Sequence, residues 1–491
     1  MSFMPVFLWS DKLVFLLLAA GFASAWYVRQ REHLLLPWRR VAQSAVAMAS
    51  LLVLLLFALV GLLDTLHYRI ALPEKNGGET VYSPEVLSVF DKLVTPLRTQ
   101  TEKTYSAPLA VTLYAKESIS DARGNVRRDY PRLRYGGAHL ADAQQQDSDV
   151  LWRALIGVVC GLLAGLLIVS ITSLLWMQSF DGNNPPQSPL VRGDTLAPPL
   201  TRGKGKRLTQ LKKNIVPHSA LFITVLIISA LIGMTANLAA AYHVLGTDKV
   251  GQDVLYLSLK SIRTGLIIGT VTTLVTLPLA LLLGIAAGYM RGWVDDVIQY
   301  IYTVLSSIPS VLLIAAAVLM MQVTIDTHPQ WFDTSASRAD LRLVFLCLIL
   351  GVTSWTGLCR LLRGETLKLR ELEYIQAAQA FGVSSMRILT RHIMPNVMHI
   401  VLISLVMDFS GLVLAEAVLS YVGVGVDPSM ISFGTMINGA RLEMGREPMV
   451  WWALASAFGF MLALVLAANL FADAVRDAFD PRLNRAELGA I

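Results

Sequence analysis

The stretch Glu373-Tyr-Ile-Gln-Ala-Ala-Gln-Ala-Phe-Gly-Val-Ser-Ser385, continuing through Arg387 to Pro395-Asn396, decides the reading of this chain. It is polar, is broken by a glycine, and stands between two long apolar runs. Leu369, Leu372, Ile375, Ala378 and Phe381 recur at helical spacing, which predicts a short amphipathic helix. Gly382 falls where a helix ends in the left-handed conformation, which a residue without a Cβ adopts at low cost. Ser384 or Ser385 then caps a second helix, which runs through Met386-Arg-Ile-Leu-Thr-Arg391 to Pro395. Two helices around a tight corner make a rigid element that another protein can push. The plainer alternative is a polar loop lying on a bilayer, its arginines against lipid headgroups.

The flanking runs belong to a membrane protein. Hydrophobic residues make up 54% of the 491 and charged residues 15%, with a mean hydropathy of +0.56. A soluble chain carries about 25% charge, and only membrane spans need repeated apolar runs of about 20 residues. Such runs lie near 12–28, 42–63, 151–177, 218–242, 261–289, 298–322, 342–361, 397–421 and 450–473. The first is short and weakly bounded, so the count is eight or nine. Cys160, Cys347 and Cys359 all sit within apolar runs and read as small hydrophobes, not as a disulfide or zinc framework.

The net charge of +6 is topological, because Lys and Arg cluster beside the apolar runs; nothing in it points to nucleic acid. Arg29, Arg31, Arg39 and Arg40 follow the first run, where a cleaved signal peptide would carry small residues. They place the first loop in the cytoplasm and the N-terminus outside. By the same rule residues 178–217, the loop 362–396 and the tail with Arg476, Arg482 and Arg485 fall inside. The loop 64–150 is assigned outside although it carries Arg123, Arg127, Arg128, Arg132 and Arg134, since loops beyond about 60 residues have little authority over orientation.

Residues 179–216 hold Asn-Asn-Pro-Pro, Ala-Pro-Pro and Arg-Gly-Lys-Gly-Lys, and read as a basic linker. It divides the chain into an N-terminal accessory membrane module, 1–178, and a core, 217–491. Within the loop 64–150, Ser106-Ala-Pro-Leu-Ala-Val-Thr-Leu-Tyr-Ala115 has strand-like content and Arg132-Leu-Arg-Tyr-Gly-Gly137 reads as a strand ending in a turn, giving a small α+β lobe. Gly161/Gly165, Gly265/Gly269 and Gly284/Gly288 place small residues four apart, a pattern that permits close packing but arises often by chance in membrane helices. Pro278 is expected to bend its helix and Pro309 to open another near the membrane surface.

From about His243 to Asn484 the chain resembles the C-type permease subunit of peptide and nickel ABC importers. Four blocks carry the resemblance: Leu245-Gly-Thr-Asp-Lys-Val-Gly-Gln-Asp-Val254; Ala287-Gly-Tyr-Met-Arg-Gly-Trp-Val-Asp-Asp296 with Ser307-Ile-Pro-Ser310; the loop 361–396; and Ala415-Glu-Ala-Val-Leu-Ser-Tyr-Val-Gly-Val-Gly425 with Arg476-Asp-Ala-Phe-Asp-Pro-Arg-Leu483. The first 210 residues lie outside the family pattern. The resemblance implies an all-α, six-helix type I permease core, here with about three extra N-terminal helices. It implies a bacterial inner-membrane heterodimer with a second permease, two ABC ATPases that hold ATP and magnesium, and an external solute-binding protein. This chain itself would hold no cofactor. The loop would couple to the ATPases through Glu373, Gln376, Ala377, Ala378, Phe381, Gly382, Val383, Ser384, Arg387 and Pro395. The external loop motif is Gly246, Thr247, Asp248, Gly251 and Asp253. The family's Glu-Ala-Ala has Gln376 at its glutamate position, so the acid that the resemblance implies is absent there, and Glu373, one helical turn away, is the residue that could serve instead.

Glu416 and Asp408 are the notable charges inside the predicted spans, and with Pro309 they are the candidates for a pathway or gate. A carboxylate near mid-membrane costs roughly 2.5–3.5 kcal/mol on insertion scales and therefore faces an interior. For Glu416 the competing reading is a residue that pins the next loop; for Asp408 it is a pair within the bundle.

Other chemistries fail. There is no Gly-x-x-x-x-Gly-Lys-Ser/Thr loop to cradle a phosphate, and Gly203-Lys-Gly-Lys-Arg207 lacks its spacing. Gly423-Val-Gly425 follows no dinucleotide-binding unit, and His392 and His399 lack a third metal ligand. An intramembrane enzyme would need facing catalytic residues, and no such pair stands out. The remaining alternative is a membrane-anchored sensor or scaffold whose external lobe docks a binding protein or accessory subunit. It explains the N-terminal module but not the four blocks.

Overall fold

The computed structural model describes residues 3–72, 82–120, 126–181, 203–332 and 334–479. Strand β1 (Phe3–Val6) leads into helices α1 (Trp9–Arg29), α2 (Glu32–Gln43) and α3 (Ala45–Thr65). Strand β2 (His67–Ile70) then returns antiparallel beside β1, with Val6 opposite His67 and Phe3 opposite Ile70. That ladder ties the start of α1 to the end of α3. The first span and the third helix therefore begin and end at one face of the molecule.

A small lobe follows: β3 (Leu87–Ser88) on β2, the short helices α4 (Val89–Leu93) and α5 (Thr95–Thr99), and a hairpin of β4 (Glu117–Ser120) and β5 (Val126–Asp129). The expected strands at 106–115 and 132–137 are displaced. There only a Thr112–Arg132 bridge forms, flanked by Leu113 N–H donating to the Pro131 carbonyl (2.8 Å) and Leu133 N–H to that of Val111 (2.9 Å). Pro108 and Pro131 have no N–H to give a ladder, and Leu109 takes a positive φ of 59°, so regular pairing starts only at Glu117.

Helices α6 (Gln146–Asp181) and α7 (Gly203–Ala239) run side by side. A Cβ on Gly157 would lie 2.6 Å from the Gly233 carbonyl, and one on Gly165 3.0 Å from Ser229 Cβ. The small-residue spacing is here a true contact surface, because glycine lets the two backbones touch. The linker expected over 179–216 is shorter than its composition suggested. Residues 203–216 belong to α7, in which Leu208, Leu211 and Ile215 keep helical spacing, and the segment 182–202 lies outside the described residues.

The second half comprises α8 (Val254–Met290), α9 (Trp293–Ser307), α10 (Ser310–Thr327), α11 (Ser335–Ser354), α12 (Thr356–Arg370), α13 (Glu373–Ala380), α14 (Ser385–Ile388), α15 (Met394–Val422), α16 (Phe433–Glu443) and α17 (Trp452–Phe479). The single span expected at 298–322 is two helices, because Pro309 forces Ile308 into an extended conformation (φ −89°, ψ 131°). Pro278, by contrast, sits inside an unbroken α8. Among the described residues nine helices are long and apolar enough to cross a membrane, the first included.

Helix α8 is the axis. Gly284 and Gly288 let α12 approach, since a Cβ on either would stand 2.8 Å from the carbonyls of Cys359 and Arg363 respectively. Gly269 receives the ring of Phe409 from α15, and Gly61 brings α3 against Leu266. The loops gather at two ends. One collects 3–8, the lobe, 240–253 and 423–451; the other collects the α1–α2 and α8–α9 turns and the segment 355–395.

Candidate functional site

The polar stretch folds into the expected corner. Helix α13 ends at Phe381, Gly382 takes φ +73°, and the N–H groups of Phe381 and Val383 donate to the carbonyls of Ala377 and Ala378 (2.9 and 3.1 Å). Ser384 stands at the N-cap of α14 in extended geometry, without a side-chain capping bond. The inner side is fully buried: Ile375, Ile388 and Ile393 are inaccessible and pack with Ala287, Ile298 and Leu362. The outer side is bare. Phe381 is 88% exposed and Met386 70%, with Tyr374, Gln376, Ala377 and Arg387 beside them. Of the stripe that predicted the helix, Ile375 and Ala378 face inward with Val383, whereas Leu372 and Phe381 are turned out. Ala378 and Val383 are half-buried and pack against the inner cluster.

The corner is clamped to the turn between α8 and α9. Arg363 forms a two-pronged bond to Asp295 (2.6 and 2.7 Å), and this guanidinium holds the Asp295 carboxyl below its ordinary range. Arg370 donates to the Tyr289 carbonyl (2.6 Å), Gln379 to the Tyr289 hydroxyl (3.3 Å), and Arg291 pairs with Glu371. Gln376 donates to the Glu371 carbonyl (3.3 Å), so the amide that replaces the family's acid has a local partner. Glu373 is exposed at the start of α13 and Pro395 at the start of α15. Two of the four sequence blocks thus meet in space. Tyr289, Arg291 and Asp295 were not singled out one by one from sequence, where the signal was the second block itself; Arg363 and Arg370 of the third block counted only as basic residues of an inside loop.

At the opposite end the external loop motif is covered by the lobe. Glu102 N–H donates to the Gly251 carbonyl (2.9 Å) and Leu109 N–H to that of His243 (2.9 Å). Thr247 N–H donates to the Ser106 carbonyl (3.1 Å), and the Thr247 hydroxyl accepts from Ser106 N–H (2.7 Å). Gly251 has φ +79°, and any side chain there would collide with the Glu102 backbone. Asp253 caps α8 by accepting from Leu255 and Tyr256 N–H, and its other oxygen meets His243 Nδ1 at 2.7 Å. Asp248 accepts the N–H groups of Val250 and Gln252 (2.9 and 2.8 Å), which closes the loop.

The junction is a set of buried charges. His243 lies between Asp253 and Glu102, whose Oε1 is 3.5 Å from Nε2. Burial alone would lower the imidazole's pKa, but the two carboxylates outweigh it and raise it to about 9. Burial likewise works against the Glu102 anion, yet His243 and the N–H groups of Arg134, Tyr135 and Gly136 hold its pKa at about 2. Lys260 bonds to Asp91 (2.6 and 2.7 Å) and lies 3.4 Å from Asp64. Arg263 donates to Asp11 (2.8 Å) and Ser10 (2.9 Å) and stands 3.9 Å from Asp340. The N-terminal module supplies the acids Asp11, Asp64, Asp91 and Glu102; the core supplies the bases His243, Lys260 and Arg263. The expected accessory module is therefore stitched into the core, which its sequence gave no means to foresee.

The family model for the binding-protein-dependent transport system inner membrane component matches residues 280–485. The oligopeptide transport permease OppC of Mycobacterium bovis is 33% identical over 239 residues, which are 49% of this chain and 76% of that protein. This chain belongs to that transport family. The dipeptide permease DppC of Bacillus subtilis is 28% identical over 292 residues, 56% of this chain and 85% of the relative. The glutathione permease GsiD of Pectobacterium atrosepticum is 33% identical over 241 residues, 49% and 73%. A solved chain of the MetNI methionine ABC transporter overlaps 46% of this chain and 98% of its own at 16% identity, with a TM-score of only 0.36.

As an ABC importer permease the chain is a multi-pass transport subunit and not an enzyme. The pathway candidates separate within this frame. Glu416 is 1% exposed and accepts from the hydroxyls of Ser420 (2.7 Å) and Ser432 (2.9 Å). It ties the end of α15 to the start of α16, the contact expected on the competing reading, in which it pins the next loop. Pro309 is exposed at the α9–α10 break. Asp408, expected to pair within the bundle, does not: it is exposed at the middle of α15 with no hydrogen bond or ion pair among the described residues.

Proposed function

We propose that this chain forms half of the translocation pathway of an ATP-driven importer for peptides or peptide-like solutes, and that the α13–α14 corner couples it to the ATPases. The observation that carries this reading is the corner's two-sidedness. A ring 88% exposed at Phe381 stands on a turn whose inner face, Ile375 and Ile388, is wholly buried. An exposed aromatic on a rigid base suits a hot-spot contact with another protein, and the ion-paired base carries a push into α8 and α15. The relatives' names, oligopeptide, dipeptide and glutathione permeases, support a peptide solute.

The partners on this reading are a second permease, two ATPases that hold ATP with its magnesium, an external binding protein, and the lipid of a bacterial inner membrane. The arginines at 29–40 and 360–391 favour a cytoplasmic corner end. The N-terminus and the lobe then lie outside and the C-terminus inside. A sensor or scaffold receives less support, because the lobe spends its polar groups on this chain's own core.

The test is isolation of the complex from its native membrane together with uptake of a labelled tripeptide. ATPase subunits should accompany the chain, and uptake should need both. A preparation free of ATPases, from cells whose peptide uptake survives deletion of this chain, would refute the reading.

A further inference from the structure

Helix α1 leaves the bundle as it runs from the lobe end to the corner end. Leu8, Ser10 and Asp11 are buried, residues 13–15 and 17–18 are half-buried, and every residue from Ala19 to Tyr27 is exposed. At the lobe end the β1–β2 ladder holds α1 to α3, with Val6 opposite His67. At the corner end α2 is the whole connection between them, and its 12 residues make a spacer about 18 Å long. Packed helices lie only about 8–10 Å apart. The gap between α1 and α3 is therefore a wedge, closed at the lobe end and open at the corner end.

The wedge holds a cavity of about 410 Å³, lined by Leu17, Gly21 and Ala25 of α1, Ala58 and Leu62 of α3, and Leu266 of α8. The two hydroxyls in its wall are satisfied within their own helices, Thr65 by the Gly61 carbonyl and Thr270 by that of Leu266 (both 2.7 Å). Arg263, at the closed end, donates to Ser10 and Asp11. An apolar cavity of this kind holds neither water nor a polar solute. Its walls are spans, so its occupant comes from the bilayer.

The open end carries cations. Arg29, Arg31, Arg39 and Arg40 are exposed there, and none has an ion pair among the described residues. Charge sidedness calls for arginines at one end of a span, but not for a cavity beginning one turn away, at Ala25. A helix of another subunit would offer these arginines no anion, and it is too thick for the end where α1 and α3 converge. A phospholipid offers both parts, a thin apolar chain joined to a phosphate at the membrane surface.

We propose that the wedge between α1, α3 and α8 binds an anionic phospholipid, with one acyl chain in the cavity and the phosphate on the arginines of α1 and α2. The site belongs to the N-terminal module, to which the transport family assigns nothing.

The test titrates the full chain, purified in detergent, with phosphatidylglycerol and with phosphatidylcholine, and reads binding by native mass spectrometry. Phosphatidylglycerol should saturate its site and bind at least about thirtyfold more tightly, the worth of two basic side chains at a membrane surface. Arg39→Gln with Arg40→Gln should erase most of that preference. Gly21→Leu with Ala25→Leu fills the cavity and should abolish the site; it should fold, since a Cβ on Gly21 meets no atom within 4 Å. Ala23→Leu, on the opposite face of α1, should change nothing. Equal binding of the two lipids, or undiminished binding in the filled variant, overturns the proposal. So does loss of the second permease from the filled variant, which would make the wedge a subunit interface.

Discussion

The two ends of this permease treat their polar groups in opposite ways. At the lobe end the family's external loop is satisfied from within: Ser106 and Thr247 exchange hydrogen bonds, His243 sits between two carboxylates, and Gly251 exists because the Glu102 backbone occupies the space of a side chain. At the corner end only the inner face is satisfied, and Phe381 and Met386 stand bare. The difference separates a surface the chain has completed for itself from one that remains open to a partner.

The harshest way to break the comparison is to remove the first 205 residues. Were the module merely accessory, the remainder would insert and pair. Its removal instead strips Asp11, Asp64, Asp91 and Glu102 from Arg263, Lys260 and His243. Breaking one buried pair costs about 3–5 kcal/mol, so the truncated chain should fail to accumulate in the membrane. Immunoblotting of membranes, with copurification of the second permease, reads this directly. Normal accumulation and pairing would return the module to an accessory role.

A smaller change sharpens the other end. Gly382→Val puts a β-branched residue at φ +73°, a strain of about 1–2 kcal/mol, in a place with no steric obstacle. Insertion should be normal, while uptake and solute-stimulated ATP hydrolysis fall severely. Gly382→Asn, which tolerates the left-handed region, should retain most of both. Equal failure of the two variants would show that bulk at the corner matters, not its backbone.

The gentlest probe is pH. The His243 pKa rises to about 9 in the fold, so its contribution is full below the unfolded value near 6.5 and is lost as pH climbs through 9. Glu102 is depressed to about 2, so its contribution is full above about 4.5 and fades only in strong acid. Thermal unfolding of the purified complex should therefore drop by a few degrees between pH 6.5 and 9.5. Glu102→Gln should flatten that slope. An unchanged slope would place the titration elsewhere.

These ends were unequally legible in the sequence. The corner was readable because its logic is local: a helical apolar period, one glycine, one serine, all within the sixteen positions from Leu369 to Ser384. Span positions were equally local and came close, save where Pro309 split one. The lobe end was closed to such reading, because its bonds join residues more than a hundred positions apart, as Glu102 to His243 and Asp11 to Arg263. Glu416 shows the limit within one residue. Its cost in a membrane is plain from its type, but only Ser432, brought over by α16, reveals that the cost is met by packing.

Between the corner and α15 the chain makes one widened turn, Leu389–Ile393, of π geometry. It stands directly before Pro395, whose ring leaves the carbonyl four residues back without a donor. Such a turn holds one residue more than a regular α-helix, and a single residue is about 100° of rotation. The wide turn therefore works as a phase setting. It lets the corner keep its buried isoleucines inward while the span above is dialled independently, and it fixes the azimuth at which Asp408 emerges.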